Sequence, residues 1–80
     1  MNTLLDRIEI NPAVMVGKPV IKGTRLTVTF ILGLLSHGET TESIIQEHPN
    51  ITSDDIYACI DYASEIMKDT TFIPLPKQAA

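Results

Sequence analysis

The sequence has 80 residues, a single cysteine and a formal net charge of −4 at pH 7. One cysteine excludes an intrachain disulfide, and no Cys/His cluster offers a zinc site, so we expect no metal and no cofactor. No apolar run approaches the roughly 20 residues of a membrane span, and the first residues lack a leader pattern; we therefore expect a cytoplasmic protein without membrane contact. A chain this short buries little surface, which predicts stabilisation as a homodimer.

Two short strands are predicted before the first helix. The alternation Arg-Ile-Glu-Ile predicts a strand over about 7–10, and Asn11-Pro12 ends it. A second strand is predicted over about 19–22, between the glycines at positions 17 and 23. Two strands alone are marginal in water, so we expect a hairpin or strand pair that packs on helices or pairs with a second copy.

Three helices are predicted to follow, over about 28–37, 41–48 and 53–68, from apolar residues spaced by three and four. Their predicted N-terminal caps are Thr27, Thr40 and Thr52. Asp55, three residues after the last of these, completes a pattern similar to a capping box. Gly38 is expected in the left-handed conformation at the end of the first helix. Together these features predict a mainly α fold, with three helices in a helix-turn-helix, homeodomain-like unit.

Details of helix packing are also predicted. Gly33, inside the first helix, suggests a close approach of another element, since glycine is unfavourable there. The inner face of the third helix is predicted to contain Ile56, Cys59, Ile60, Ala63, Ile66 and Met67. A single domain is expected over residues 1–69. Residues 70–80 are predicted to form a C-terminal tail, because Pro74 and Pro76 forbid a regular helix there.

The sequence contains little that suggests catalysis. The two histidines fall at the predicted C-terminal ends of helices, where a histidine interacts favourably with the negative end of the helix dipole. Cys59 lies on a predicted apolar helix face, which is typical of a small core residue. We therefore expect no enzymatic activity.

Charge is unevenly distributed along the chain. Residues 7–25 carry a net charge of +3, whereas residues 26–80 carry −6. The basic residues of the first stretch are Arg7, Lys18, Lys22 and Arg25. The pattern predicts a basic edge for an anionic partner, although scattered basic residues are also ordinary on a soluble surface. Arg25 has a second interpretation, as an ion pair with a carboxylate of the acidic part, in this or another subunit.

The most distinctive motif is Gly17-Lys18-Pro19-Val20-Ile21-Lys22-Gly23-Thr24-Arg25, whose turn residues are Gly17, Pro19, Gly23 and Thr24. Ile10-Asn11-Pro12 precedes it, and His48-Pro49, Ile51-Thr52 and Asp55-Ile56 follow. With these segments the chain closely resembles, from about Ile8 to Ile66, the bacterial domain-of-unknown-function family 433. One departure is Thr27, where many members have proline.

The resemblance implies an antitoxin-like protein of the VapB type, since members look like antitoxins of toxin–antitoxin pairs, often beside a PIN-like ribonuclease toxin. It implies a helix-turn-helix fold, a toxin partner and binding to promoter DNA. We expect DNA contacts at Lys18, Lys22 and Arg25, and toxin contacts at Phe72, Ile73 and Leu75 in the tail. The alternative for the tail is that it lies on its own dimer. The alternative for the whole chain is a protein-interaction or structural homodimer that does not bind DNA.

Overall fold

The computed structural model describes residues 4–68, which form three helices and a two-stranded antiparallel sheet. The strands are β1 (Ile8–Glu9) and β2 (Val20–Ile21), and the helices are α1 (Val28–Ser36), α2 (Thr41–Glu47) and α3 (Ser53–Lys68). Short 3₁₀ turns lie at Leu4–Arg7 and Met15–Gly17. The prediction of a mainly helical chain with an N-terminal strand pair is confirmed. The strands are shorter than predicted, and α1 and α2 each end one residue earlier.

The sheet is a single antiparallel pair in which Ile8 lies opposite Ile21 and Glu9 opposite Val20. The backbone N–H of Lys22 donates to the carbonyl of Arg7 at 2.8 Å, just beyond the pair. An isolated bridge joins Val20 to Thr27, so β2 lies between β1 and the residue that precedes α1. The chain turns away from the sheet at Asn11-Pro12 and at Gly23, and these turns keep both strands short.

The helix ends have the predicted caps. The hydroxyl of Thr27 accepts a hydrogen bond from the Phe30 N–H at 3.0 Å, which caps α1. At α2, the Thr40 hydroxyl accepts from the Ser43 N–H, and the Ser43 hydroxyl accepts from the Thr40 N–H. Gly38 follows α1 with a φ of +95°, the left-handed conformation expected of a glycine at that point.

The hydrophobic core is built against α3, which contacts the first 3₁₀ turn, β1, α1 and α2. Every helix and β2 contribute to it, together with the loop before α3. Its buried members are Ile21, Val28, Ile31, Ile44, Ile51, Ile56 and Cys59. None of the helices within residues 4–68 is both long enough and apolar enough to cross a membrane.

Two expectations about helix packing are wrong. Ile60, Ile66 and Met67 are about half exposed, whereas Asp55 and Ala58 are buried. The buried face of this 16-residue helix therefore includes Asp55 and Ala58, whereas the apolar side chains of its last turn are about half exposed. The second error concerns Gly33, because a Cβ atom placed there would meet no atom of another element of residues 4–68 within 4 Å.

Candidate functional site

The distinctive motif, residues 17–25, contains β2 and the tight turn that follows it, and we call this segment the signature loop. The Ile21 carbonyl accepts two hydrogen bonds from Thr24, one from its backbone N–H at 2.9 Å and one from its hydroxyl at 2.8 Å. The Thr24 hydroxyl in turn accepts from the Leu26 N–H at 3.0 Å. Gly23 has a φ of +81°, as the third residue of a type II turn requires. Thr24 and Gly23 therefore fix the shape of this loop.

Backbone hydrogen bonds also join the loop to its neighbours. The Ile21 N–H donates to the Leu26 carbonyl, and the Val28 N–H donates to the Pro19 carbonyl, each at 2.9 Å. Because Val28 is the first residue of α1, its N–H has no acceptor within the helix, and the Pro19 carbonyl satisfies it. The loop is thus tied to the helix that follows it.

The turn that leads into the signature loop has a left-handed backbone. Met15, Val16 and Gly17 have φ values of +50°, +56° and +76°. Glycine adopts this conformation without cost, but a β-branched valine rarely does. Val16 is nevertheless 91% exposed, so no packing of its side chain within residues 4–68 explains the strain. Apart from the glycine, no residue pattern in this segment predicts the turn.

The four basic residues of the N-terminal stretch have two different environments. The Nη1 atom of Arg7 donates to Oδ1 of Asp55 at 3.1 Å, and its Nη2 atom lies 3.6 Å from Oδ2 of Asp54. The remaining three are Lys18, Lys22 and Arg25. They are exposed, and they form no ion pair or side-chain hydrogen bond with any residue from 4 to 68. The intramolecular ion pair considered for Arg25 is therefore absent among these residues, and Arg7 makes one instead.

Asp55 has two structural roles at the start of α3. Its Oδ2 atom accepts from the Thr52 N–H at 2.9 Å, while the Thr52 hydroxyl accepts from the Asp55 N–H at 3.3 Å. Its Oδ1 atom binds Arg7, and the residue is only 9% exposed. The capping box was predicted from the sequence, whereas the partner 48 positions away was not.

Two concave surfaces are present on the described part of the chain. One, with a volume of about 470 Å³, is lined by Asp6, Arg7, Lys22 and Asp55. Its mixed charges do not favour an anion over a cation. The second, of about 260 Å³, lies between α1 and α3 and is mainly apolar; we call it the apolar groove. Its lining residues are Pro19, Val28, Thr29, Leu32, Tyr62, Ala63, Ile66 and Met67.

Comparison with known proteins identifies the family. Residues 8–63 match the family described as "Protein of unknown function (DUF433)". The chain belongs to this family. The crystal structure of a DUF433 member protein from Anabaena variabilis is similar, with a TM-score of 0.74 and 24% sequence identity. The match covers 82% of this chain and 65% of the other, so this chain spans about two thirds of that protein's length. At this identity the likeness shows the fold alone. No curated protein matches the sequence.

The predicted site residues of this DUF433 chain fall into three groups. Gly17, Pro19, Gly23 and Thr24 shape or anchor the signature loop. Lys18, Lys22 and Arg25 project from the same loop without an acidic partner among residues 4–68. Phe72, Ile73 and Leu75 lie outside the described residues.

Chemically reactive groups are sparse in the described part of this DUF433 chain. Burial, with a further contribution from the negative charge of Asp55, raises the pKa of the Cys59 thiol to about 12. The thiol is fully buried and stays protonated at neutral pH, so it is a core residue rather than a nucleophile. Among residues 4–68 no group of three or more His, Cys, Asp or Glu side chains is placed to hold a metal ion.

Proposed function

We propose that this DUF433 protein is an antitoxin-like helix-turn-helix homodimer that binds a toxin protein and contacts DNA through the signature loop. One observation carries the DNA part of this proposal: the loop is fixed by its own hydrogen bonds and presents three exposed cations that form no ion pair with any residue from 4 to 68. Cations that are not engaged in an ion pair can contact a phosphate without breaking one, and a fixed loop loses little conformational entropy on binding.

The acidic composition of α3 supports DNA contact through the signature loop rather than through this helix. In helix-turn-helix proteins the recognition helix usually presents basic or amide side chains to the major groove. Here α3 carries Asp54, Asp55, Asp61 and Glu65, with Lys68 as its only basic residue. Since Lys68 is paired with Glu65 at 3.0 Å, the phosphate contacts of this proposal come from the loop. A two-fold dimer doubles the number of loop cations.

A salt series with DNA from upstream of the protein's own gene tests this assignment. We compare the wild type with Lys18→Ala/Lys22→Ala and, as a control matched in charge, Lys68→Ala/Lys77→Ala. Each lost phosphate contact is expected to reduce the slope of log K against log salt by roughly one, so the loop variant should lose about two per protomer, or about four for a dimer that contacts DNA with both loops. The control should keep its slope. Equal slopes for all three proteins would refute DNA contact through Lys18 and Lys22.

Arg25 needs a separate variant, because its competing role is structural. If Arg25 contacts DNA, the Arg25→Ala variant should bind DNA more weakly and keep the mass and thermal stability of the wild-type dimer. A role in joining subunits predicts instead a lower dimer mass in sedimentation. If Arg25→Ala dissociates the dimer while Lys18→Ala/Lys22→Ala binds DNA normally, the loop is architectural.

The toxin part of the proposal predicts that a reading frame beside this protein's own gene encodes the toxin. We expect the two proteins to form a stoichiometric complex when they are expressed together. Replacement of Phe72, Ile73 and Leu75 by serine should weaken it, because apolar side chains stabilise an interface when they are removed from water there. An intact complex with the triple variant would remove the tail from the interface.

A second candidate is a protein-interaction homodimer that does not bind DNA. Exposed apolar side chains favour it, since Phe30, Tyr57 and Ile60 are each between 44% and 49% exposed. DNA affinity distinguishes the two candidates. The second candidate predicts a dimer in sedimentation but no specific binding to the upstream DNA fragment at any salt concentration.

A further inference from the structure

The most exposed side of α3 carries apolar residues instead of charges. On a surface helix the apolar stripe normally faces the core, and the opposite side is charged or polar. The core side of α3 contains Ile56 and Cys59, as expected. Outside it, however, Tyr57, Ile60 and Met67 are 49%, 44% and 53% exposed. Apolar surface of this kind is stabilised when another apolar surface removes it from water.

Tyr57, Ile60 and Met67 share one side of α3 with Ser64, which is also exposed, and we call these four residues the outer face. They are separated by three, four and three residues, which is the spacing of the a and d positions of a coiled coil. With 3.6 residues per turn, all four lie within about 80° around the helix axis. Helices with this spacing pack side by side, because the side chains of one fit between those of the other. The outer face therefore fits a second helix.

The charges beside the outer face suit a second copy of α3 that runs in the opposite direction. Asp54 near the start of α3 and Lys68 at its end lie on the same side of the face, and their side chains are 60% and 67% exposed. An antiparallel pair places each Lys68 beside Asp54 of the second copy, whereas a parallel pair places like charges together. Asp61, midway between them, lies near its counterpart in both orientations and does not affect this choice.

The outer face is also complementary to itself in this direction. In an antiparallel pair centred on position 62, Tyr57 lies opposite Met67 of the second copy, and Ile60 lies opposite Ser64. The first contact joins a thioether to an aromatic ring, which is favourable, and the second joins a large side chain to a small one. We infer that the outer face is the homodimer interface, where two copies of α3 pack antiparallel about a two-fold axis. This inference rests on the homodimer of the proposed function and adds its interface.

Disulfide formation between two variants tests the arrangement. Tyr57→Cys and Met67→Cys proteins are mixed in equal amounts and oxidised; native Cys59 is buried and does not compete. A disulfide needs Cα atoms within about 7 Å, and positions 57 and 67 lie about 15 Å apart along a helix. We expect the mixed disulfide to form at least about tenfold faster than a disulfide between identical chains, because the interface raises the effective concentration of the two thiols. Gln46→Cys, exposed on α2, is the control and should cross-link no faster than those identical chains.

Faster links between identical chains would overturn the antiparallel arrangement, and rates equal to the control would overturn the interface. Sedimentation supplies an independent measurement. Ile60→Glu should raise the Kd of the dimer at least about a hundredfold, because the interface would bury a carboxylate. Gln46→Glu, which adds the same charge on α2, should leave the Kd unchanged. Thermal unfolding of the monomer at low concentration verifies that both variants fold.

The sedimentation data also separate failure of this inference from failure of the proposed function. If Ile60→Glu dimerises as tightly as the wild type, the interface lies elsewhere and the homodimer itself stands. If the wild type is a monomer at all concentrations, both the interface and the homodimer are refuted.

A charge exchange tests the orientation of the two helices. Lys68→Glu places two carboxylates together at each end of the antiparallel pair, and we expect a dimer about tenfold weaker. Adding Asp54→Lys restores opposite charges and should return the Kd to within about threefold of the wild type. A purely structural role of Lys68 within its own chain predicts no such rescue. If the double variant is as weak as Lys68→Glu alone, the antiparallel orientation is overturned.

Discussion

The N-terminal region, residues 4–27, and the helical region, residues 28–68, are held together by different interactions. In the helical region, side chains from all three helices and the loop before α3 pack into one apolar core, which Ile21 of β2 joins from the N-terminal region. In the N-terminal region, turns and hydrogen bonds between backbone groups dominate, and only Val20 and Ile21 are fully buried apolar residues. The helical region therefore supplies most of the stability, whereas the N-terminal region shapes the candidate site.

The two regions also present different surfaces. The N-terminal region presents exposed cations and a strained valine, while its one paired arginine joins it to α3. The helical region presents carboxylates and the apolar groove. Variants that affect one region and spare the other therefore test whether the division is real, and we take them from the largest expected effect to the smallest.

The reactivity of Cys59 measures how well the helical core excludes water. Its raised pKa of about 12, against an ordinary 9, reduces the thiolate fraction at pH 8 by roughly a thousandfold. We expect alkylation by iodoacetamide to be slower by at least that factor in the folded protein than in urea. The Cys59 thiol keeps its proton in the folded protein at pH values where the unfolded chain loses it. The contribution of this thiol to the free energy of unfolding is therefore complete below about pH 9 and is lost as the pH rises towards 12. Rapid alkylation at pH 8 would show that the core opens.

Asp55 joins the two regions, so its replacement should affect both. Asp55→Ala removes the acceptor of the α3 capping box and the partner of Arg7, and we expect a loss of about 2–3 kcal/mol in the free energy of unfolding. The control is Asp54→Ala, whose exposed carboxylate lies 3.6 Å from the same arginine and should contribute less than about 0.5 kcal/mol. Similar losses for both variants in urea denaturation would contradict the assigned roles.

The two regions also differ in how far their structure follows from the sequence. Three helices and their caps were predicted because caps and apolar spacing are local patterns, visible within a few residues of Thr27, Thr40 or Thr52. The Arg7–Asp55 ion pair and the rotated face of α3 depend on groups far apart in the chain, which periodicity does not encode. Within the site, the glycine turn of the signature loop was predicted, but the Thr24 hydrogen bonds and the left-handed Val16 were not.

Thr24 tests whether the signature loop depends on its side-chain hydrogen bonds. Thr24→Val keeps the shape of the side chain but leaves the Leu26 N–H without its acceptor and removes a donor to the Ile21 carbonyl. We expect a loss of about 1–2 kcal/mol in the free energy of unfolding. Thr24→Ser keeps the hydroxyl and should lose less than half as much. If the valine variant is as stable as the wild type in thermal unfolding, backbone contacts alone hold the loop.

The smallest predicted effects come from two glycines, one in each region, and they have opposite signs. Gly23 has a φ of +81°, a conformation that costs an alanine about 1 kcal/mol, although a Cβ atom there would meet no neighbour in the described part of the chain within 4 Å. Gly33 lies inside α1 with equally open space, so Gly33→Ala should stabilise the protein by about 1 kcal/mol through helix propensity alone.

Both glycines have open space around the position of a Cβ atom, so the backbone conformation alone determines whether alanine stabilises or destabilises the protein at each position. The double variant Gly23→Ala/Gly33→Ala should therefore unfold at nearly the wild-type temperature, since effects at sites without shared neighbours add. A destabilising Gly33→Ala would mean that another chain packs closely on this face of α1, and its dependence on protein concentration would then identify a dimer interface there.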